Sequence, residues 1–112
     1  TASGPRFSHP LLSLRSDLVD ALANEGFTRT TKIQLRVLPL ASQGYDILGQ
    51  AKTGSGKTLT FCVPILQGIL NTLENNKSSK STTLALMLAP TKELCVQTHT
   101  VLKGVCQHLQ AF

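Results

Sequence analysis

Tryptophan is absent from this sequence, and aromatic residues make up only 4% of it. Any core must therefore be built mostly from aliphatic side chains. Cysteine is scarce: Cys62, Cys95 and Cys106 are odd in number and lack CxxC spacing, so neither a disulfide framework nor a zinc ribbon is indicated. Reduced thiols in an intracellular protein fit that pattern, with nucleus, cytoplasm and organelle all open. Long hydrophobic runs are missing. The longest, Leu84 to Ala89, is far too short to cross a membrane, and no signal peptide is visible. Carboxylates are few: Asp17, Asp20, Glu25, Asp46, Glu74 and Glu93 are the only six. No internal repeat is present. The first residue is Thr1 rather than Met, so we expect an upstream piece of the protein.

The 112 residues suit one small domain or part of a larger one. A hydrophobic content of 41% supports a packed core and argues against intrinsic disorder. Eleven Lys and Arg against six acids give a net charge of +5, which suits a polyanionic partner such as a nucleotide or nucleic acid. The basic residues are scattered singly, so charge alone does not locate a site.

Residues 1–15, with Pro5, Pro10 and several Ser, read as an extended lead-in. Ser16 to Glu25 reads as a helix with Leu18, Val19 and Leu22 apolar and Gly26 as its stop. A second helix is expected near Thr31, with Ile33, Val37 and Leu40 on one face and Pro39 bending or shortening it. "SQGYD" reads as a turn. Asp46 to Gln50 is expected as a short strand. Leu59, Cys62, Val63, Leu66, Ile69 and Leu73 then mark a helical stripe with Pro64 inside it. "NTLENNKSSKS" reads as a loop and "TLALMLA" as a strand covered on both faces. From Thr91 onward, Leu94, Thr98, Val101, Leu102, Val105 and Leu109 mark a last helix. A strand–helix–strand unit of this kind implies parallel strands and a right-handed crossover.

The sequence "AKTGSGKT", residues 51–58, follows the phosphate-loop pattern G-x-x-x-x-G-K-[ST], with Ala51 in place of the first Gly. Gly54 and Gly56 can take positive φ and let the backbone approach a phosphate. Successive amides and the N-terminal end of the next helix favour negative charge there. Lys57 would place an ammonium near the β and γ oxygens, and Thr58 would offer a hydroxyl to Mg²⁺. The plain alternative is a Gly-Ser turn beside a lysine. "GFTRTTKIQ", residues 26–34, contains a T-x-x-Q capping box, so Gln34 can be read as closing a helix. "PTKEL", residues 90–94, sits where an apolar run meets a helix; it is either a phosphate contact or a turn capped by Thr91.

The order of these three segments resembles the DEAD-box RNA helicase family, with "GFTRTTKIQ" similar to its Q motif, "AKTGSGKT" to motif I and "APTKELCVQ" to motif Ia. The resemblance runs from about Phe7 to Gln97. It implies an α/β fold: a partial RecA-like P-loop NTPase domain with parallel strands and flanking helices. Residues 16–44 would carry the Q-motif helices and 46–112 the β–P-loop–α–β–α unit, with the second RecA-like domain lying outside this chain. The same resemblance implies that Phe27 stacks on adenine and Gln34 pairs with its edge, with Arg29 nearby and Phe7 as the upstream aromatic. Ala51, Lys52, Thr53, Gly54, Ser55, Gly56, Lys57 and Thr58 would wrap ATP, with Mg²⁺ at Thr58. Pro90, Thr91 and Lys92 would touch an RNA backbone. Three positions depart from the family pattern. Thr30 stands where the family has Pro, Lys92 where it has Arg, and Phe7 lies further from Gly26 than the usual aromatic.

No acidic residue follows an apolar strand after motif Ia, so the carboxylates that orient the attacking water are not expected in this chain. The resulting expectation is an ATP-dependent RNA helicase of which this chain is the N-terminal portion, incompetent for hydrolysis alone, with RNA and ribonucleoprotein assembly proteins as partners. A non-catalytic RNA or ribonucleoprotein interaction module that keeps the P-loop fold is the alternative. A P-loop ATPase acting on DNA is a weaker one, against which the Q motif argues.

Overall fold

The computed structural model describes residues 2–52, 56–75 and 83–110. Four α-helices follow in order: α1 (Ser16–Asn24), α2 (Lys32–Ser42), α3 (Lys57–Asn75) and α4 (Lys92–Cys106). The lead-in is not simply extended. A 3₁₀ turn at Pro10–Leu12 interrupts it, with Ser13 at positive φ as its C-terminal cap. Upstream of that turn, Arg6 forms an antiparallel bridge with Arg29.

Local chemistry sets the helix ends. Gly26, at φ +94°, terminates α1 in a conformation that glycine adopts without penalty. Thr31 caps α2, and a full capping box forms with Gln34. Thr91 caps α4 by accepting from the Leu94 N–H at 3.2 Å. Pro39 and Pro64 lie within α2 and α3, and both helices continue past them. The expected loop at 71–81 begins later than its composition implied, because Asn71 to Asn75 extend α3. Asn71 is held there by Arg15 Nη1 at 2.9 Å, and Thr72 Oγ1 returns a bond to the Gly68 carbonyl. Residues 76–82 lie outside the described ones.

The core draws on every element. Phe7, Leu12, Leu18, Ala21, Leu22, Leu38, Leu59, Val63, Leu66, Leu70, Val105 and Leu109 form one buried cluster. Burying one such Leu contributes about 1.5–3 kcal/mol, so these aliphatic contacts dominate the stability. Among the described residues, Phe7 is the one aromatic fully inside the cluster. The buried face of α2 differs from the one its apolar spacing suggested. It carries Gln34, Val37 and Leu38, whereas Leu40 points outward. A glutamine is tolerated inside because its amide is hydrogen-bonded at both ends. On α4 only the C-terminal part is packed: Val105 is buried, while Leu94 and Val96 are exposed.

The two expected strands do not form a ladder. Residues 46–50 and 83–89 carry no strand pairing, and Leu86 and Leu88 are 79% and 89% exposed. A strand exists only through hydrogen bonds to a neighbour, and these two segments do not pair with each other among the described residues.

Arg15 fastens the start of α1 to α3. Its backbone N–H donates to Gln67 Oε1 at 2.8 Å, and its guanidinium binds Asp17, Asn71 and Glu74. The hydrogen bond from Arg15 holds the Asp17 carboxyl below its ordinary value of 3.8. A depressed acid stabilises the fold above its unfolded pKa and loses that contribution as pH falls through the folded one. Asp17→Asn should therefore lower the melting temperature at pH 7, by an amount that shrinks as pH falls below the ordinary carboxylate value. An effect that does not shrink on acidification would exclude this ion pair as the cause.

Candidate nucleotide and RNA site

Gly56 is the described glycine of the phosphate loop, and its φ is +86°. Its carbonyl is heavily used. It accepts from Thr60 Oγ1 at 3.0 Å, from the Thr60 N–H at 3.3 Å and from Gln34 Nε2 at 3.1 Å. The last of these joins the second motif to the first across 22 positions of sequence. Gln34 is only 2% exposed. Its Oε1 accepts from the Thr31 N–H at 2.8 Å, and its own N–H reaches Thr31 Oγ1 at 3.5 Å.

Capping and nucleotide binding make demands on the same Gln34 amide. In the folded chain the cap forms completely, and the same side chain holds the phosphate loop. One Nε2 hydrogen and one Oε1 lone pair are left over for a further partner.

Lys57 and Thr58 open α3 directly after Gly56, with Lys57 exposed and Thr58 half-buried. Both line a recess of about 450 Å³ whose other walls are Phe61, residues 87–90 and the outer face of α4 from Leu94 to Leu102. That recess brings the first residues of motif I beside Pro90 of motif Ia. Among the described residues that line it there is no carboxylate. A second recess, of about 390 Å³, is lined by Ser3, Thr31, Lys32, Ile33, Arg36, Gln50 and Ala51. Lys52 is exposed. Thr53, Gly54 and Ser55 lie outside the described residues.

The aromatic candidates sit elsewhere. Phe27 is half-buried, packs against the core cluster and lines neither recess. Phe7 is 1% exposed, so its role here is to fill the core. Arg29 is exposed and donates from Nη1 to the Gly4 carbonyl at 3.3 Å. Pro90, Thr91 and Lys92 are all exposed at the head of α4, with the Thr91 hydroxyl already engaged as the helix cap.

The thiols differ in environment. Cys95 is exposed in the larger recess. Burial pushes the Cys62 thiol up to about 12 and raises Cys106 as well.

Sequence reasoning marked Thr30 as a departure from the family pattern but not its complete burial, and it missed the contacts of Glu25. Glu25 Oε1 accepts from Gln107 Nε2 at 3.0 Å and lies 3.1 Å from His108 Nε2, tying the end of α1 to the end of α4. Both depend on non-local contacts that carry no local pattern. Among the described residues there is no cluster of three or more His, Cys, Asp or Glu able to hold a metal, and no helix long and apolar enough to cross a membrane.

Comparison with known proteins gives a consistent outcome. A family model described as DEAD/DEAH box helicase matches residues 31–112. The ATP-dependent RNA helicase dbp9 of Aspergillus terreus is 48% identical over 91 residues, covering 81% of this chain and 14% of that protein. DEAD-box ATP-dependent RNA helicase 3 of Helianthus annuus is 42% identical over 101 residues, covering 88% of this chain and 43% of that protein. Among solved structures, the RNA helicase Prp28 from Chaetomium thermophilum bound to ADP superposes with a TM-score of 0.76 at 31% identity. The match covers 95% of this chain and 25% of that one. A DEAD box protein from Methanococcus jannaschii superposes with a TM-score of 0.67 at 33% identity, covering 82% and 23%. The chain thus spans less than half the length of each of these relatives.

Proposed function

The chain belongs to the DEAD/DEAH box helicase family, and from that premise we propose that the full-length protein is an ATP-dependent RNA helicase whose nucleotide-binding elements lie here. The observation that carries this reading is the bond from Gln34 Nε2 to the Gly56 carbonyl, which makes one unit of the Q motif and the phosphate loop. A glycine at positive φ followed by an exposed lysine at the head of a 19-residue helix suits a triphosphate. The loop can come close, the helix end favours negative charge, and Lys57 adds an ammonium. The Thr58 hydroxyl is the group of this chain that would hold Mg²⁺, an ion that when bound neutralises phosphate charge. Gln34, with its remaining donor and acceptor, would pair with both N6 and N7 of adenine and so select ATP.

Pro90, Thr91 and Lys92 would meet the RNA backbone. The Thr91 oxygen accepts the cap bond, which leaves its O–H free to donate, so Thr91 and Lys92 with the backbone amides at the head of α4 would carry that contact, without reading base sequence. Phosphoryl transfer depends on charge neutralisation and on a positioned water. The described residues lining the recess beside Lys57 include no carboxylate to orient that water, so hydrolysis and strand separation belong to the full-length protein. An intracellular setting among RNA and ribonucleoprotein partners is part of the same proposal.

Calorimetric titration of the full-length protein with Mg-ATP and then Mg-GTP, with and without RNA, tests the reading. Saturable heat with ATP and at least tenfold weaker binding of GTP are expected, the difference of ~1.4 kcal/mol being within reach of two amide–base hydrogen bonds. No heat with either nucleotide would overturn the reading, and equal affinity for both would remove the role of Gln34.

A further inference from the structure

We infer that Thr30 is a positioning residue for the nucleotide loop, acting through a strap formed by Gly4 to Phe7; this rests on the nucleotide-binding reading above. Thr30 is fully buried. Its N–H and its Oγ1 both donate to the carbonyl of Pro5, at 2.9 and 2.8 Å, and its own carbonyl accepts from the Gly4 N–H at 2.9 Å. A proline at this position could donate neither of the first two bonds. The pairing continues through the Arg6–Arg29 bridge and the Phe7 N–H to Thr28 carbonyl bond at 3.1 Å, and Phe7 anchors the strap in the core.

Gly4 is required for so close an approach. A Cβ built there would lie 2.6 Å from Thr30 Oγ1 and 2.9 Å from the Thr30 carbonyl oxygen. Bonds within one continuous path then link the strap to the loop. Thr30 fixes the peptide that carries the Thr31 N–H. That N–H holds Gln34 Oε1, and Gln34 Nε2 holds the Gly56 carbonyl. Loosening the strap frees the cap residue, and with it the amide that keeps Gly56 in place.

The test is a set of steady-state ATPase measurements on the full-length protein, with saturating RNA and varied Mg-ATP. Thr30→Val keeps the shape and the N–H but removes the hydroxyl. It should raise KM for ATP about threefold to tenfold, the worth of one buried hydrogen bond, with kcat unchanged. Thr30→Ser should stay within about twofold of the unaltered protein, since it keeps the donor. Gly4→Ala leaves Thr30 intact and should raise KM similarly, so a folding failure at Thr30 alone does not remove the test. In the double variant the two effects should combine to less than their product, because both open the same strap. Unchanged KM in Thr30→Val and Gly4→Ala, equal effects of Val and Ser, or fully multiplicative effects would each overturn the inference. Absence of ATP turnover in the unaltered protein would instead overturn the nucleotide reading, and the strap's role with it.

Discussion

Gly56→Ala in the full-length protein should weaken Mg-ATP binding at least tenfold and lower the melting temperature as well. Two separate costs combine at this residue. The backbone sits at φ +86°, where an L side chain costs about 1–2 kcal/mol. The added Cβ would also lie 2.6 Å from Gln34 Nε2 and 3.1 Å from Thr31 Cγ2 and Oγ1. Gln34 cannot swing aside freely, because it is buried and bonded at both ends of its amide. Either the capping box opens or the Gly56 peptide shifts and strains its three hydrogen bonds. Gly44→Ala provides the control. Its φ is +87°, yet nothing lies within 4 Å of the added Cβ. It should cost about 1 kcal/mol of stability from backbone strain alone and leave ATP affinity unchanged. Calorimetry and thermal melts on both variants settle the comparison. Gly56→Ala with ATP affinity within twofold of the original would show that this contact does not shape the loop.

Lys57→Ala should separate binding chemistry from folding. The lysine is exposed at the head of α3, so its loss should change stability by no more than about 0.5 kcal/mol. Turnover should fall by two to three orders of magnitude, or about 2.7–4 kcal/mol, as when one preorganised charge-stabilising group is removed from a phosphoryl or acyl transfer site. ATPase assays paired with thermal melts read both quantities. Retained turnover would contradict the assigned role. A collapsed melting temperature would mean that Lys57 supports the fold instead.

Much of this architecture was legible in the sequence, and the reasons are local. The starts of α2 and α4 were readable because Thr31 and Thr91 satisfy orphan amides within three residues of themselves. The stripe on α3 was readable because its own period defines the face that meets the core. What stayed hidden was non-local. The buried face of α2 was misread because a glutamine ranks as polar, and its burial is inexpensive only because Gly56, far along the chain, joins Thr31 in bonding its amide. The strap at Gly4 to Phe7 left no pattern, since it depends on the opposite carbonyl of Pro5 and the amide of Thr30. The run at 83–89 shows the reverse case. Its composition announces a strand, but composition cannot supply the neighbour that would pair with it. Of the site, the roles given to the residues of motif I rest on the sequence pattern and remain proposals. Their attachment to Gln34 was not legible, and neither was the withdrawal of Phe7 into the core.

The unequal surroundings of the three thiols have a practical use. Alkylation proceeds through the thiolate, and burial suppresses that form at Cys62 and Cys106. At neutral pH a maleimide dye will therefore attach first at Cys95, on the wall that Lys57 and Thr58 share. Among the three thiols of this chain, Cys95 thus offers a handle for watching, by fluorescence, what enters that space.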